Sequence, residues 1–285
     1  MTHSALEALR WYVENGVTDT LLPEPVNKKL SAQPKDLPKA VPAAPASQAP
    51  AQSVAAMEAP DTPPTLVGSR EARAKAEELA KAANTLEELA DVIRNFDGLA
   101  VKKTAMNMVF SDGNPKASVM VIGEAPGADE DREGKPFVGA SGQLLDKIFA
   151  SIGLSRKAED PKQALYISNI LNWRPPGNRT PTPAEMSIAL PFIEKHIALI
   201  QPRILVMVGN TPMKTLLDTK EGIVKMRGSW HDYKTVSDIS TNFKEPVFGL
   251  PTFHPAFLLR NPMQKKTVWH DMLLLHKKRA ELGLV

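Results

Sequence analysis

Glu124 and Phe137 stand thirteen residues apart in the run GEAPGADEDREGKPFVG, residues 123–139. The run begins directly after an apolar stretch, ASVMVI (117–122). A short apolar run bounded by turn residues reads as a buried parallel strand, and open α/β sheets bind their ligands at the carboxyl ends of such strands. The turn is not built for phosphate. G-x-G-x-x-G and G-x-x-x-x-G-K-[ST] are both absent, and no lysine follows the glycines at helix-start spacing. Phe137 offers a face for stacking. The turn backbone around Ala125 and Gly127, with the carboxylates of Glu124 and Glu130, offers hydrogen bonds. That combination suits a flat, polar ligand.

Three further β-rich runs end in loops of the same kind: ALYISNIL (164–171), RILVMVG (203–209) and PVFGLPTF (246–253). Their loops carry Asn169 with NWRPPGNR, then Gly209–Asn210–Thr211, then His254–Pro255. The amide of Asn169 presents a donor and an acceptor side by side. Pro255 restricts the backbone of His254. On position alone, an asparagine closing a turn and a histidine capping a strand end explain these residues equally well.

The elements that must position these loops alternate along the chain. Helical patterns run through SREARAKAEELAKAA, from the capping box Thr85–Glu88, from Ser141, from Thr182 with Glu185 completing a second capping box, and through QKKTVWHDMLLLHKKRAEL. Strands alternating with helices imply a parallel sheet covered on both faces. The predicted fold is α/β, a three-layer αβα sandwich around a central four-stranded parallel sheet.

The chain of 285 residues, 42% hydrophobic and 24% charged, can build an ordinary core. Its net charge of +3 singles out no partner. No apolar run approaches the ~18 residues of a membrane span, and the N-terminus lacks the basic start and apolar centre of a secretory signal. Cysteine is absent, which excludes disulfides, thiolate catalysis and cysteine-ligated metal and agrees with a cytoplasmic protein. Three segments are predicted. Residues 1–22 hold a short amphipathic helix (4–16) with Leu6, Leu9, Tyr12 and Val13 near one face. Residues 23–67, rich in Pro, Ala, Ser and Gln, form a disordered linker. Residues 68–285 form the folded domain.

Within that domain the chain resembles the uracil-DNA glycosylase superfamily, most of all its family 4. The resemblance is carried by GEAPGADEDREGKPFVGASGQLLD (123–146), YISNILNWRPPGNRTPTPAE (166–185), PRILVMVGNTPMKTLL (202–217), KMRGSW (225–230) and HPAFLLRNPMQKKTVWHDM (254–272). It implies a monofunctional glycosylase that hydrolyses the bond between uracil and deoxyribose in DNA and leaves an abasic site. In such a reaction the base leaves the stack for a pocket. The resemblance then implies that His254 donates to uracil O2, that Asn169 reads O4 and N3–H, and that Phe137 stacks on the base. It links Glu124 to positioning base or water and Glu130 to the wall near uracil C5. Which carboxylate, if either, is the general base is left open. Asp129, Asp131 and Glu133 are read as a solvated acidic loop.

DNA contact is expected from Leu258 and Leu259, an apolar wedge flanked by Arg260, Lys265 and Lys266. Arg174, Arg179 and Arg227 are further phosphate candidates. Family 4 members usually hold an iron–sulfur cluster on four cysteines. The matching positions here are Arg94, Asp97, Trp173 and Ala189, so no cluster, no metal and no other cofactor is expected. Trp173 is read as filler, and Arg94 with Asp97 as a replacement ion pair. The expected partner is uracil-containing DNA, with a monomeric protein, no membrane, and a possible protein partner for the N-terminal helix. The alternatives are a glycosylase for other deaminated bases, and a DNA- or abasic-site-binding protein with weak or lost catalysis.

Overall fold

Four buried five-residue strands form the centre of the sheet: β2 (Val119–Gly123), β3 (Leu165–Asn169), β4 (Ile204–Val208) and β6 (Phe248–Thr252). They run parallel in the order β3-β2-β4-β6. The computed structural model describes residues 66–239 and 242–285. The predicted helix at 4–16 lies outside the described residues, as does the predicted linker up to residue 65.

The sheet is not a purely parallel four-stranded one. Two-residue strands flank it: β1 (Asp112–Gly113), antiparallel to β3, and β5 (His231–Asp232), antiparallel to β6. The sheet is therefore mixed and six-stranded. A dipeptide is too short to display an alternating pattern, so neither edge strand was predictable from periodicity.

Residues alternate between the two faces of the strands. Met120, Ile122, Tyr166, Leu205 and Met207 enter one buried cluster. Val119, Val121, Leu165, Ile167, Val206 and Leu250 enter the other. The first face is covered by α1 (Leu66–Ala82), α2 (Leu86–Asn95) and α5 (Pro183–Ile200). The second is covered by α4 (Ala140–Ala150) and α9 (Lys265–Glu281). Each fully buried aliphatic side chain contributes about 1.5–3 kcal/mol, so the paired faces outweigh local propensity. Caps fix where helices begin. Thr85 accepts from the amide of Glu88, and Thr182 and Glu185 form the predicted capping box.

The positions matching the family's cysteines are built into this fold without thiolates. Trp173 and Ala189 are buried in the first cluster, together with Phe96 and Phe192, whose rings meet edge-on at 5.1 Å. The expected Arg94–Asp97 pair is absent. Arg94 pairs with Asp91 one turn back, and Asp97 pairs with Lys102 at 2.8 Å. An apolar indole, a methyl group and two residues engaged elsewhere do not suit an iron–sulfur cluster.

The connection leaving β2 runs to β3 on one side, whereas that leaving its other neighbour β4 runs the opposite way, towards β5 and β6. This is the topological switch point, where the loops part and leave a crevice.

Candidate active site

A cleft of about 580 Å³ opens at that crevice. Every parallel strand contributes to its wall through the residues at or just past its carboxyl end: Glu124–Gly127 after β2, Asn169 at the end of β3, Val208–Asn210 at the end of β4, and His254 after β6. Ala125, Gly127, Glu130, Phe137 and Arg179 line it as well.

Phe137 lies against the floor. It is buried, and its ring centroid stands 5.7 Å from that of His254 with a tilt of 31°. Gly123 allows this approach. A Cβ there would stand 2.3 Å from Asn169 Oδ1 and 2.6 Å from the Phe137 ring. The end of β2 is thus a point where an amide and an aromatic ring converge on bare backbone.

Asn169 is 2% exposed, yet its side-chain amide forms no hydrogen bond to any described residue. A donor and an acceptor without a partner on the cleft wall are available to a ligand. The side chain of Glu124 likewise makes no hydrogen bond or ion pair with a described residue. Glu130 differs. Its carboxylate accepts from the amides of Gly127 (3.1 Å), Val138 (2.9 Å) and Gly139 (3.0 Å). It closes the loop that carries Phe137 while lining the cleft.

His254 caps the short helix α8 (Pro255–Arg260), its Nδ1 accepting from the amide of Ala256 at 3.1 Å. That bond assigns the ring proton to Nε2. Burial, aided by the positive charge of Arg260 and opposed by Glu130, lowers the pKa of His254 to about 4. The ring is a neutral donor at physiological pH.

The DNA-contact residues divide. Leu258 is fully buried in the second cluster, whereas Leu259 is 45% exposed. The two leucines sit on a helix, not in a loop, and successive helical side chains diverge by about 100°. Leu258 cannot serve as a wedge without leaving the core. Arg260, Lys265 and Lys266 are exposed around Leu259, and Arg260 lines the cleft. Arg179 is exposed and forked onto Glu185 at 2.6 and 2.8 Å. Arg174 donates to Asn178 and faces Asp131 at 3.8 Å, outside the cleft wall. Arg227 is clamped to Asp271 and to the carbonyl of Thr267, over the ring of Phe253. Its guanidinium is used within the fold, which removes it from the phosphate candidates. Asp131 is not solvated. It is 1% exposed and accepts from the amides of Met106 and Asn107.

Asn210, noted in sequence only as part of the loop after β4, also lines the cleft, as do Ser141 and Phe257, which were not singled out as site residues. Ser141 lies in the first turn of α4, Asn210 begins the helix Asn210–Leu216, and Phe257 lies on α8. Such residues look like helix starts, and only the motif after β4 pointed towards one of them.

Comparison with known proteins follows the same stretch of chain. The family model described as Uracil DNA glycosylase superfamily matches residues 110–273. The Type-4 uracil-DNA glycosylase of Sulfurisphaera tokodaii is 36% identical over 184 residues, covering 62% of this chain and 76% of that protein. The Type-4 uracil-DNA glycosylase of Saccharolobus solfataricus is 37% identical over 193 residues, 66% of this chain and 83% of that one. That of Archaeoglobus fulgidus is 33% identical over 204 residues, 69% of this chain and 94% of that one.

Proposed function

The chain belongs to the uracil DNA glycosylase superfamily, and from that premise we infer that it is a uracil-DNA glycosylase whose cleft takes a uracil turned out of DNA. The observation that carries the reading is the amide of Asn169, on the cleft wall and without a hydrogen-bond partner among the described residues, beside the ring of Phe137. Uracil presents O4 as an acceptor next to N3–H as a donor, and one amide answers both. Cytosine reverses that pair and would leave polar groups unmatched in a buried place. Phe137 supplies the stacking face, worth about 1–3 kcal/mol per base.

The reaction breaks the N1–C1′ bond. The electron pair leaves with the base, charge gathers on uracil O2, and the sugar becomes cationic before water adds to C1′. A neutral His254 with its proton on Nε2 donates to O2 as the charge develops, an oxyanion-hole role worth about 3–4 kcal/mol in comparable systems. Glu124, unpartnered within the cleft, is the group that orients the water or steadies the sugar cation. Glu130 works through the loop it holds, and with that loop closes the cleft near C5. Leu259, with Arg260, Lys265, Lys266 and Arg179, forms the DNA-facing rim. No metal or cofactor enters the scheme. The chain carries no cysteine, and the positions matching the family's cluster ligands do not suit one. Residues from 68 onward form the catalytic domain of this reading.

The test is single-turnover release from oligonucleotides holding one dU, followed by hot alkali to cut at abasic sites. The chain should act on dU and spare dT and dC. His254→Ala and Asn169→Ala should each slow release by at least about 100-fold with little change in melting temperature. Tight binding of the oligonucleotide without any release would replace this reading with that of a DNA-binding protein.

A further inference from the structure

Phe137 occupies a backbone conformation that its own side chain disfavours, with φ of 54°. A non-glycine residue stays in the left-handed region only where its surroundings hold it there. Glu130 holds the amides that follow Phe137, and Arg156 holds the carbonyls. Its Nη1 donates to the carbonyl of Pro136 at 2.8 Å and its Nη2 to the carbonyl of Phe137 at 3.0 Å. Two carboxylates fix the guanidinium in turn. Asp146 on α4 accepts from Nε at 2.9 Å, and Asp112 on β1 accepts from Nη1 at 3.1 Å. The Arg156 side chain is 7% exposed. From the other side, Gly142 abuts the same peptide, and a Cβ there would lie 1.8 Å from the Phe137 carbonyl oxygen.

We propose that Arg156 is a positioning residue for uracil release: its fork grips the two carbonyls flanking the Phe137 turn and thereby sets the ring against His254. The proposal rests on reading Phe137 as the face on which the base stacks. Arg156 touches neither substrate nor His254, and it acts by aim. A planar fork with five N–H donors in fixed directions can grip two carbonyls and two carboxylates at once. A lysine keeps the charge between Asp112 and Asp146 but cannot reproduce that geometry.

Arg156→Lys is therefore the informative variant. It should slow single-turnover uracil release about tenfold, since small misplacements in a site have large effects on rate. In a Phe137→Ala background the same change should cost less than about twofold, because there is no ring left to aim. Equal losses in both backgrounds would mean a general structural role and overturn the proposal. A second readout needs no substrate. With the two ring centroids 5.7 Å apart, the ring current of Phe137 should shift the imidazole resonances of His254 in NMR spectra of the unliganded protein. Arg156→Lys should move them in the same sense as Phe137→Ala, and unmoved resonances would refute the proposal. If wild-type protein releases no uracil, the functional reading falls, and the resonances still decide the role of Arg156. Should Arg156→Lys not fold, Gly142→Ala pushes the same peptide from the opposite side. It should give the same paired signature of rate and resonance, and its failure to do so would count equally against the proposal.

Discussion

At His254, burial and one hydrogen bond act in the same direction. The amide of Ala256 occupies Nδ1, so a second proton has no place there. Burial, with Arg260 nearby, lowers the pKa to about 4, and the Glu130 carboxylate opposes this weakly. The sign of the pH dependence follows. His254 is already neutral above about pH 5, so its donor role is constant from there through the ordinary histidine range near 6.5. Single-turnover release limited by this donor should show no fall above pH 6.5, and protonation should bring loss only towards pH 4. A rate that drops with an apparent pKa near 6.5 as pH rises would mean that the cation does the work. Stability has its own sign. The unfolded chain takes up a proton at His254 below about pH 6.5 and the folded one does not until about 4, so folding stability is lost as pH falls through that window. His196, buried and lowered to about 3, pulls in the same direction. At this scale the sequence was readable where a polar residue ends an apolar run, as with Asn169 and His254. It was silent on Arg156, since one arginine in a turn-rich stretch carries no period and no motif.

Among the elements, α8 shows how far a short helix departs from its appearance in sequence. Six residues, Pro255–Arg260, are too few to reveal a period, so Leu258 and Leu259 read as one apolar pair. The helix separates them, one into the core and one to the surface. Their substitutions should separate too. Leu258→Ala should cost about 2–5 kcal/mol of stability, as for other buried leucines, measured by denaturant unfolding. Leu259→Ala should leave stability within about 0.5 kcal/mol. It should slow uracil release from duplex DNA roughly tenfold while barely changing release from a single strand, where no stack must be filled. Equal effects on the two substrates would remove Leu259 from the wedge role. The central strands were legible to within about two residues, because five buried apolar residues in a row leave little choice. The edge strands were not, because hydrogen bonds to a neighbour define them and side chains do not.

At the scale of the whole molecule, the buried clusters among the described residues draw on residues from Ala76 onward, and the cleft draws on Glu124 to Arg260. A shortened chain beginning at Leu66 should therefore keep the melting temperature of the full chain to within a few degrees and release uracil from short oligonucleotides at an unchanged rate. A loss of more than about 2 kcal/mol in stability would show that earlier residues belong to the core. The places of Trp173 and Ala189 carry a consequence for how the protein is made. A protein built around an iron–sulfur cluster depends on a supply of iron and sulfide before it is complete. Here Trp173 and Ala189 are buried among the chain's own side chains; on the cluster-free reading proposed above, the last step of biosynthesis would be folding itself, with no call on the iron economy of the cell.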